Sequence, residues 1–171
     1  MHTGFSLLED RMKKLEEKLG YVFQNKELML HALTHSSYAN EHRSAGLTSN
    51  ERLEFLGDSV LGMVVADYLF RIHGNMPEGE LTRTRAALVC EGSLHEVAKT
   101  LGLGDYLRLG RGEDAGGGRT RPSILADATE ALLAAVYLDG GLTPARAIIQ
   151  KFILDKEQEK AVDRDYKTAL Q

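Results

Sequence analysis

Leu7, Leu8, Met12, Leu15 and Leu19 recur at helical spacing near the start of the chain, and Gly20 follows the last of them. An amphipathic helix ending at Gly20 is predicted. A second, short helix is predicted over Leu28 to Leu33. Thr48 with Glu51 three residues later has the form of a capping box, which would open a long helix through Val60, Val64, Val65, Leu69 and Ile72 to Gly74. Pro77 stands near the start of a further helical stretch, Glu78 to Val89, and Ser93 to Leu101 is its successor, stopped by Gly102 and Gly104. Arg111 to Arg121 contains Gly112, Gly116, Gly117 and Gly118, so regular structure there is costly and a mobile basic loop is predicted. Helices over Ile124 to Leu138 and from Pro144 to Glu159 complete the pattern. No alternating strand pattern and no internal repeat occurs, and the predicted fold class is all-α.

The chain has 171 residues, 43% of them hydrophobic, enough for one domain with a real core and too few for two of typical size. Cys90 is the single cysteine, which excludes an intrachain disulfide. Met1-His2-Thr3-Gly4 leads into charged sequence without an apolar signal segment, and the longest apolar runs, such as Ala131 to Leu138, fall far short of the ~18 residues of a membrane span. A cytoplasmic protein with no membrane association is expected. The formal net charge of −4 argues against a nucleic-acid binder if taken alone. Its distribution changes that view, because Arg108, Arg111, Arg119 and Arg121 crowd one glycine-rich segment while acids concentrate elsewhere.

The acids are the informative feature. Glu51, Glu54 and Asp58 are spaced i, i+3 and i+7 within Asn50-Glu-Arg-Leu-Glu-Phe-Leu-Gly-Asp-Ser-Val60, and at about 100° per residue they fall within roughly 60° of one another on a helix. Asp127 and Glu130 repeat the i, i+3 spacing on the Ile124 helix. An isolated pair of this kind is most often a solvated face. Here the first set is interleaved with Leu53, Phe55, Leu56 and Leu61, and a partner pair exists, so one site between two acidic helices is expected. Two unit charges ~4 Å apart repel by roughly 4 kcal/mol at an effective dielectric of 20. Protons or a hard divalent cation such as Mg2+ or Mn2+ must therefore neutralise the cluster.

The same residues carry a resemblance. Asn50 to Val60 resembles the motif of the ribonuclease III family. Leu19-Gly-Tyr-Val-Phe23, Ala32-Leu-Thr-His-Ser-Ser-Tyr38, Pro77-Glu-Gly-Glu-Leu81, Gly104-Asp-Tyr-Leu-Arg-Leu-Gly110 and Tyr137-Leu-Asp-Gly-Gly141 are similar to family segments, in family order. The likeness spans roughly Leu15 to Phe152. It implies a homodimeric, all-α endonuclease domain that cuts double-stranded RNA with Mg2+, leaving 5′-phosphate and 3′-hydroxyl ends, with Mn2+ able to substitute. It implies that Glu54, Asp58, Asp127 and Glu130 are the metal-site acids, with Asp58 and Glu130 central to catalysis and Glu130 bridging metal, water and phosphate. Glu51 and Glu78 match supporting acidic positions, although the capping box explains Glu51 equally well. Phe55 matches an aromatic that enters a socket in a second subunit, the alternative being core packing. Arg108, Arg111, Arg119 and Arg121 are expected to face RNA phosphates. Two positions depart from the family pattern: Thr129 stands where a bulky apolar residue is frequent, and Ser36 where Arg is frequent.

His31 and His35 have the i, i+4 spacing of helical metal ligands, but no Glu lies between them in the zincin arrangement, so packing or capping is expected. Two rival functions are a non-catalytic RNA-binding relative and a di-iron carboxylate bundle. Loss of metal-site acids would mark the first, and all four are present. The second needs Glu-x-x-His on two helices, whereas Glu130 is followed by Leu133 and Glu54 by Gly57. From Asp155 the chain turns charged and apolar-poor. Residues 1–154 are read as the endonuclease domain, 155–165 as a linker, and 166–171, Tyr-Lys-Thr-Ala-Leu-Gln, as the opening of a truncated double-stranded-RNA-binding domain that the resemblance leads one to expect.

Overall fold

A computed structural model describes residues 3–171. Ten α-helices form it: α1 (Thr3–Leu19), α2 (Lys26–Ala32), α3 (Ser36–Glu41), α4 (Glu51–Ile72), α5 (Glu78–Val89), α6 (Glu91–Leu101), α7 (Arg111–Ala115), α8 (Pro122–Gly140), α9 (Leu142–Ile149) and α10 (Asp155–Ala169). The all-α expectation holds. The described residues contain no strand, only a single bridge between Thr34 and Arg108. No helix among them is long and apolar enough to cross a membrane.

α8 is the centre. It buries twelve of its 19 residues, five of them alanine, so α4, α6, α2 and α9 can all pack directly on it. Leu53, Val60, Leu61, Val64, Val65 and Leu69 supply the α4 side of this core, and Leu94, Val97 and Leu101 the α6 side. Burying each such side chain is worth about 1.5–3 kcal/mol. Chain ends and turns follow elementary stereochemistry: Gly20 and Gly102 take positive φ (76° and 62°) just beyond α1 and α6. Asp139, near the end of α8, accepts the backbone N–H groups of Gln24 and Asn25 at 2.8 and 2.9 Å and the Tyr21 hydroxyl at 2.6 Å, which ties the α1–α2 turn to the central helix.

Several predicted elements need correction. The Thr48–Glu51 capping box does not form. α4 begins at Glu51 behind Asn50, with no side-chain cap, because the Thr48 hydroxyl pairs with His31 Nε2 at 3.0 Å instead. Arg111 to Arg121 is a folded segment: α7 and a 3-10 turn over Gly118–Thr120 occupy it, and Glu113 and Asp114 pair with Arg121 and Arg119. Those pairings offset the glycine cost. The helix from Pro144 instead begins at Leu142, and a π-helical turn (Gln150–Leu154) joins it to α10. Residues 155–165, read as linker, are helical within α10. α3 was not anticipated at all.

Candidate metal centre

Gly57 decides how α4 meets α8. A Cβ built at this position would lie 1.8 Å from the carbonyl oxygen of Glu130, so only glycine lets the two backbones approach this closely. Glu54 and Asp58 flank Gly57, and the approach therefore lays the α4 carboxylates over those of α8. Carboxylate oxygens of Glu54, Asp127 and Glu130 all lie within 4.8 Å of one another. Asp58 lies outside that group of three but close enough to Glu130 to act on it. Glu130 is only 8% exposed, Glu54 is half-buried, and Asp58 and Asp127 face solvent. Three of the four predicted metal-site acids thus meet in one group, and Asp58 borders it.

The electrostatics show what this convergence costs without a cation. Burial, then the proximity and charge of Asp58, then Glu54 and Asp127, push Glu130 up to about 8. Burial raises Glu54 as well, with Asp127, Asp58 and Glu51 adding to it. Asp127 keeps a solvent-facing edge, yet partial loss of hydration against the packed helices raises it, and Glu91, a residue in the first turn of α6 that sequence reasoning missed, adds to the rise; His35 opposes it. Nothing in the local pattern around Glu91 signals a role, since its relevance arises only where α6 packs on α8. Among the described residues, none of the four acids is ion-paired with Lys or Arg.

The donor set is all oxygen and suits Mg2+ or Mn2+. Oxygens bound to one such ion at ~2.1 Å lie no more than ~4.2 Å apart, so a closure of up to roughly 0.6 Å from the 4.8 Å spread would let the cluster hold a single ion. The group contains no histidine, against a di-iron centre.

The other residues singled out in the sequence have contacts of their own. Glu51 opens α4 on the acidic side and contributes to the field at Glu54, Asp127 and His35. Glu78 opens α5 and accepts the Thr82 hydroxyl at 2.7 Å. His35 caps α3 by accepting the N–H of Ser37 at 3.2 Å, and His31 contacts the carbonyl of Ser49 at 2.8 Å, so both histidines serve capping and packing. Burial holds His35 below the ordinary imidazole range, against the pull of Glu51 and Asp127. Arg119 grips Asp114 through two nitrogens and donates to the carbonyls of Gly104 and Leu107 at 3.0 and 2.8 Å. Arg121 pairs with Glu113, Arg108 bonds to Thr34 and Leu30, and the Arg111 side chain is exposed. Thr129 is buried and satisfies its hydroxyl on the Leu125 carbonyl at 2.8 Å, which explains how a polar residue is accommodated there. Phe55 is 77% exposed, so the core-packing alternative is excluded.

Two packed helices that bring Glu54, Asp127 and Glu130 within 4.8 Å of one another form a cluster that could hold a divalent cation. The chain belongs to the ribonuclease III family: the family model for ribonuclease-III-like proteins matches residues 25–157. It is 53% identical over 160 residues to Ribonuclease 3 of Caldanaerobacter subterraneus subsp. tengcongensis, covering 92% of this chain and 70% of that protein. It is 48% identical over 164 residues to Ribonuclease 3 of Listeria innocua, covering 95% and 72%. A solved nuclease domain of ribonuclease III from Campylobacter jejuni, described for structural flexibility in a region involved in dimer formation, superposes with a TM-score of 0.78 at 44% identity. It covers 83% of this chain and 95% of its own.

Proposed function

We propose that the chain is a Mg2+-dependent endoribonuclease that hydrolyses phosphodiester bonds of double-stranded RNA to 5′-phosphate and 3′-hydroxyl ends. The observation that carries this reading is the convergence of Glu54, Asp127 and Glu130 within 4.8 Å, with Asp58 against Glu130, on a chain of the ribonuclease III family. A non-catalytic relative would not need to keep four mutually repelling acids together. Glu54, Asp58, Asp127 and Glu130 hold the ion, Mn2+ substituting for Mg2+. The bound ion supplies activation of a water and stabilisation of the leaving 3′ oxygen. Burial and the neighbouring acids favour the protonated form of Glu130 without metal; a bound cation would favour its carboxylate, which could orient a water. Glu51 and Glu78 add negative field along the cleavage face, and the exposed Arg111 contacts RNA phosphates.

Two copies act together, one per strand. Phe55, Met63 and Phe70 are all exposed along one stripe of α4, and Gly62 within it faces open space, so a second copy can approach closely. Recognition of A-form RNA rests on shape, phosphates and 2′-hydroxyls, not base sequence. The setting is processing of rRNA and mRNA in the cytoplasm, with residues 166–171 opening a double-stranded-RNA-binding domain. The decisive experiment incubates the protein with a long RNA duplex, with and without Mg2+, and maps product ends. Staggered cuts with 5′ phosphates only when Mg2+ is present are expected; an intact duplex at saturating Mg2+ would refute the reading.

A further inference from the structure

The Gly57 contact fixes the distance between α4 and α8 in the second turn of α4, but one contact leaves a helix free to slide or pivot. A second constraint acts at the N-terminal end. Asn50, 6% exposed, donates its backbone N–H to the Thr34 carbonyl at 2.8 Å and its side-chain amide to the Ala32 carbonyl at 3.0 Å. Its own carbonyl accepts the N–H of Glu54 at 2.8 Å, so the first hydrogen bond of α4 runs directly to a metal-site acid.

Thr34, fully buried, is in turn gripped by Arg108. Its hydroxyl donates to the Leu30 carbonyl at 2.6 Å and accepts Arg108 Nε at 2.9 Å, while Arg108 Nη2 reaches the same Leu30 carbonyl at 3.1 Å. The backbones are stitched as well: Arg108 N–H to the Leu33 carbonyl at 2.8 Å and His35 N–H to the Arg108 carbonyl at 3.1 Å. The guanidinium lies over the Tyr38 ring, 5.2 Å from its centroid. An arginine used in this way has its fork committed inward. Metal coordination tolerates displacements of only about 0.2 Å, so a joint holding the start of α4 bears directly on the site.

We propose that Arg108, Thr34 and Asn50 form a positioning relay that seats the α4 carboxylates against α8, and that Arg108 acts through this relay and not on an RNA phosphate. The inference rests on reading the acidic cluster as the metal site of a nuclease. None of the three residues is a catalytic residue, since none belongs to the acidic cluster. Their effect passes through the position of Glu54 and Asp58.

The test compares Thr34→Val, Thr34→Ser and Arg108→Gln with wild type. Val keeps the shape of Thr but removes both hydroxyl bonds; Ser restores the hydroxyl. Each protein is titrated with Mn2+ alone, without RNA, and its cleavage of duplex RNA at saturating Mg2+ is resolved into kcat and KM. Thr34→Val and Arg108→Gln should bind Mn2+ at least tenfold more weakly and lose at least tenfold in kcat, with KM for the duplex within twofold of wild type, and Thr34→Ser should recover both. Ile153→Val, in the distant π-helical turn, controls for general loss of stability and should leave Mn2+ affinity unchanged. If Thr34→Val does not fold, Arg108→Gln decides. Wild-type Mn2+ affinity in Arg108→Gln with a raised KM would overturn the relay and return Arg108 to the RNA surface. Failure of the wild-type protein to cleave duplexes would count against the nuclease reading, while the Mn2+ titration still decides the relay.

Discussion

Replacing Gly57 by alanine puts a methyl carbon 1.8 Å from the Glu130 carbonyl oxygen and 2.5 Å from its carbonyl carbon. The obstacle is backbone inside the most buried helix, so no side chain can rotate aside. To regain an ordinary contact of about 3.5 Å, α4 and α8 must part by roughly 1.5 Å. Overpacking of this kind costs about 1–3 kcal/mol, offset by the roughly 1 kcal/mol by which alanine exceeds glycine in helix propensity. The net loss, at most about 2 kcal/mol, lowers the melting temperature by up to about 8 °C for a chain of this size. The larger effect is on chemistry. Displacing reacting groups by about 1 Å costs on the order of 100-fold in rate, and the carboxylates on either side of Gly57 move with it. Thermal melting, Mn2+ titration and cleavage under saturating duplex measure the three consequences. Gly92→Ala, on α6 with open space around its Cβ, is the control and should melt at or slightly above wild type. A Gly57→Ala protein with wild-type melting temperature, Mn2+ affinity and turnover would refute the claim that this approach sets the site.

Glu130→Gln should nearly abolish cleavage yet stabilise the metal-free protein. With Glu130 raised from 4.5 to about 8, the folded state holds a proton that the unfolded state has released, so stability is fully present below about pH 4.5 and is lost as pH rises toward 8. The displacement corresponds to roughly 4–5 kcal/mol at about 1.4 kcal/mol per unit; denaturant melts from pH 5 to 9 without metal should show that slope in wild type and not in the variant, and equal slopes would sink the assignment. Phe55→Ala should weaken self-association far more than subunit stability, because an exposed ring contributes little to a monomer and buries about 150–250 Å² in a partner; sedimentation at low concentration reads this, and an unchanged dimer would refute it. Arg119→Ala leaves the Gly104 and Leu107 carbonyls without their donor and should cost about 1–3 kcal/mol of stability, with KM for duplex RNA unchanged; unaltered stability with a raised KM would assign the residue to RNA.

The acidic cluster was legible because helical periodicity alone aligns Glu54 with Asp58 and Asp127 with Glu130, and because no cation follows either pair closely in sequence. The helices themselves followed from apolar spacing and from Gly20 and Gly102. What escaped was decided by long-range partners. Thr48 looks like a cap until His31, from another turn, takes its hydroxyl. The glycines of the 111–121 segment argue for a loop until Arg119 and Arg121 find Asp114 and Glu113 beside them. Arg108 reads as a surface cation, and only the fold brings Thr34 and Leu30 to its guanidinium. Glu91 gains meaning only from the packing of α6 on α8.

Placing half of the acids on α8 has a consequence for hydrogen exchange. Amides in a helix whose side chains are buried almost throughout open only when the whole domain opens, whereas α5 buries no residue and its amides, like those of the charged α10, can exchange through local fraying. An ion that binds the closed site should slow exchange along the whole of α8 and leave exchange in α10 unchanged, so the metal registers as protection of the globule's slowest-opening unit and not of the turn that holds it.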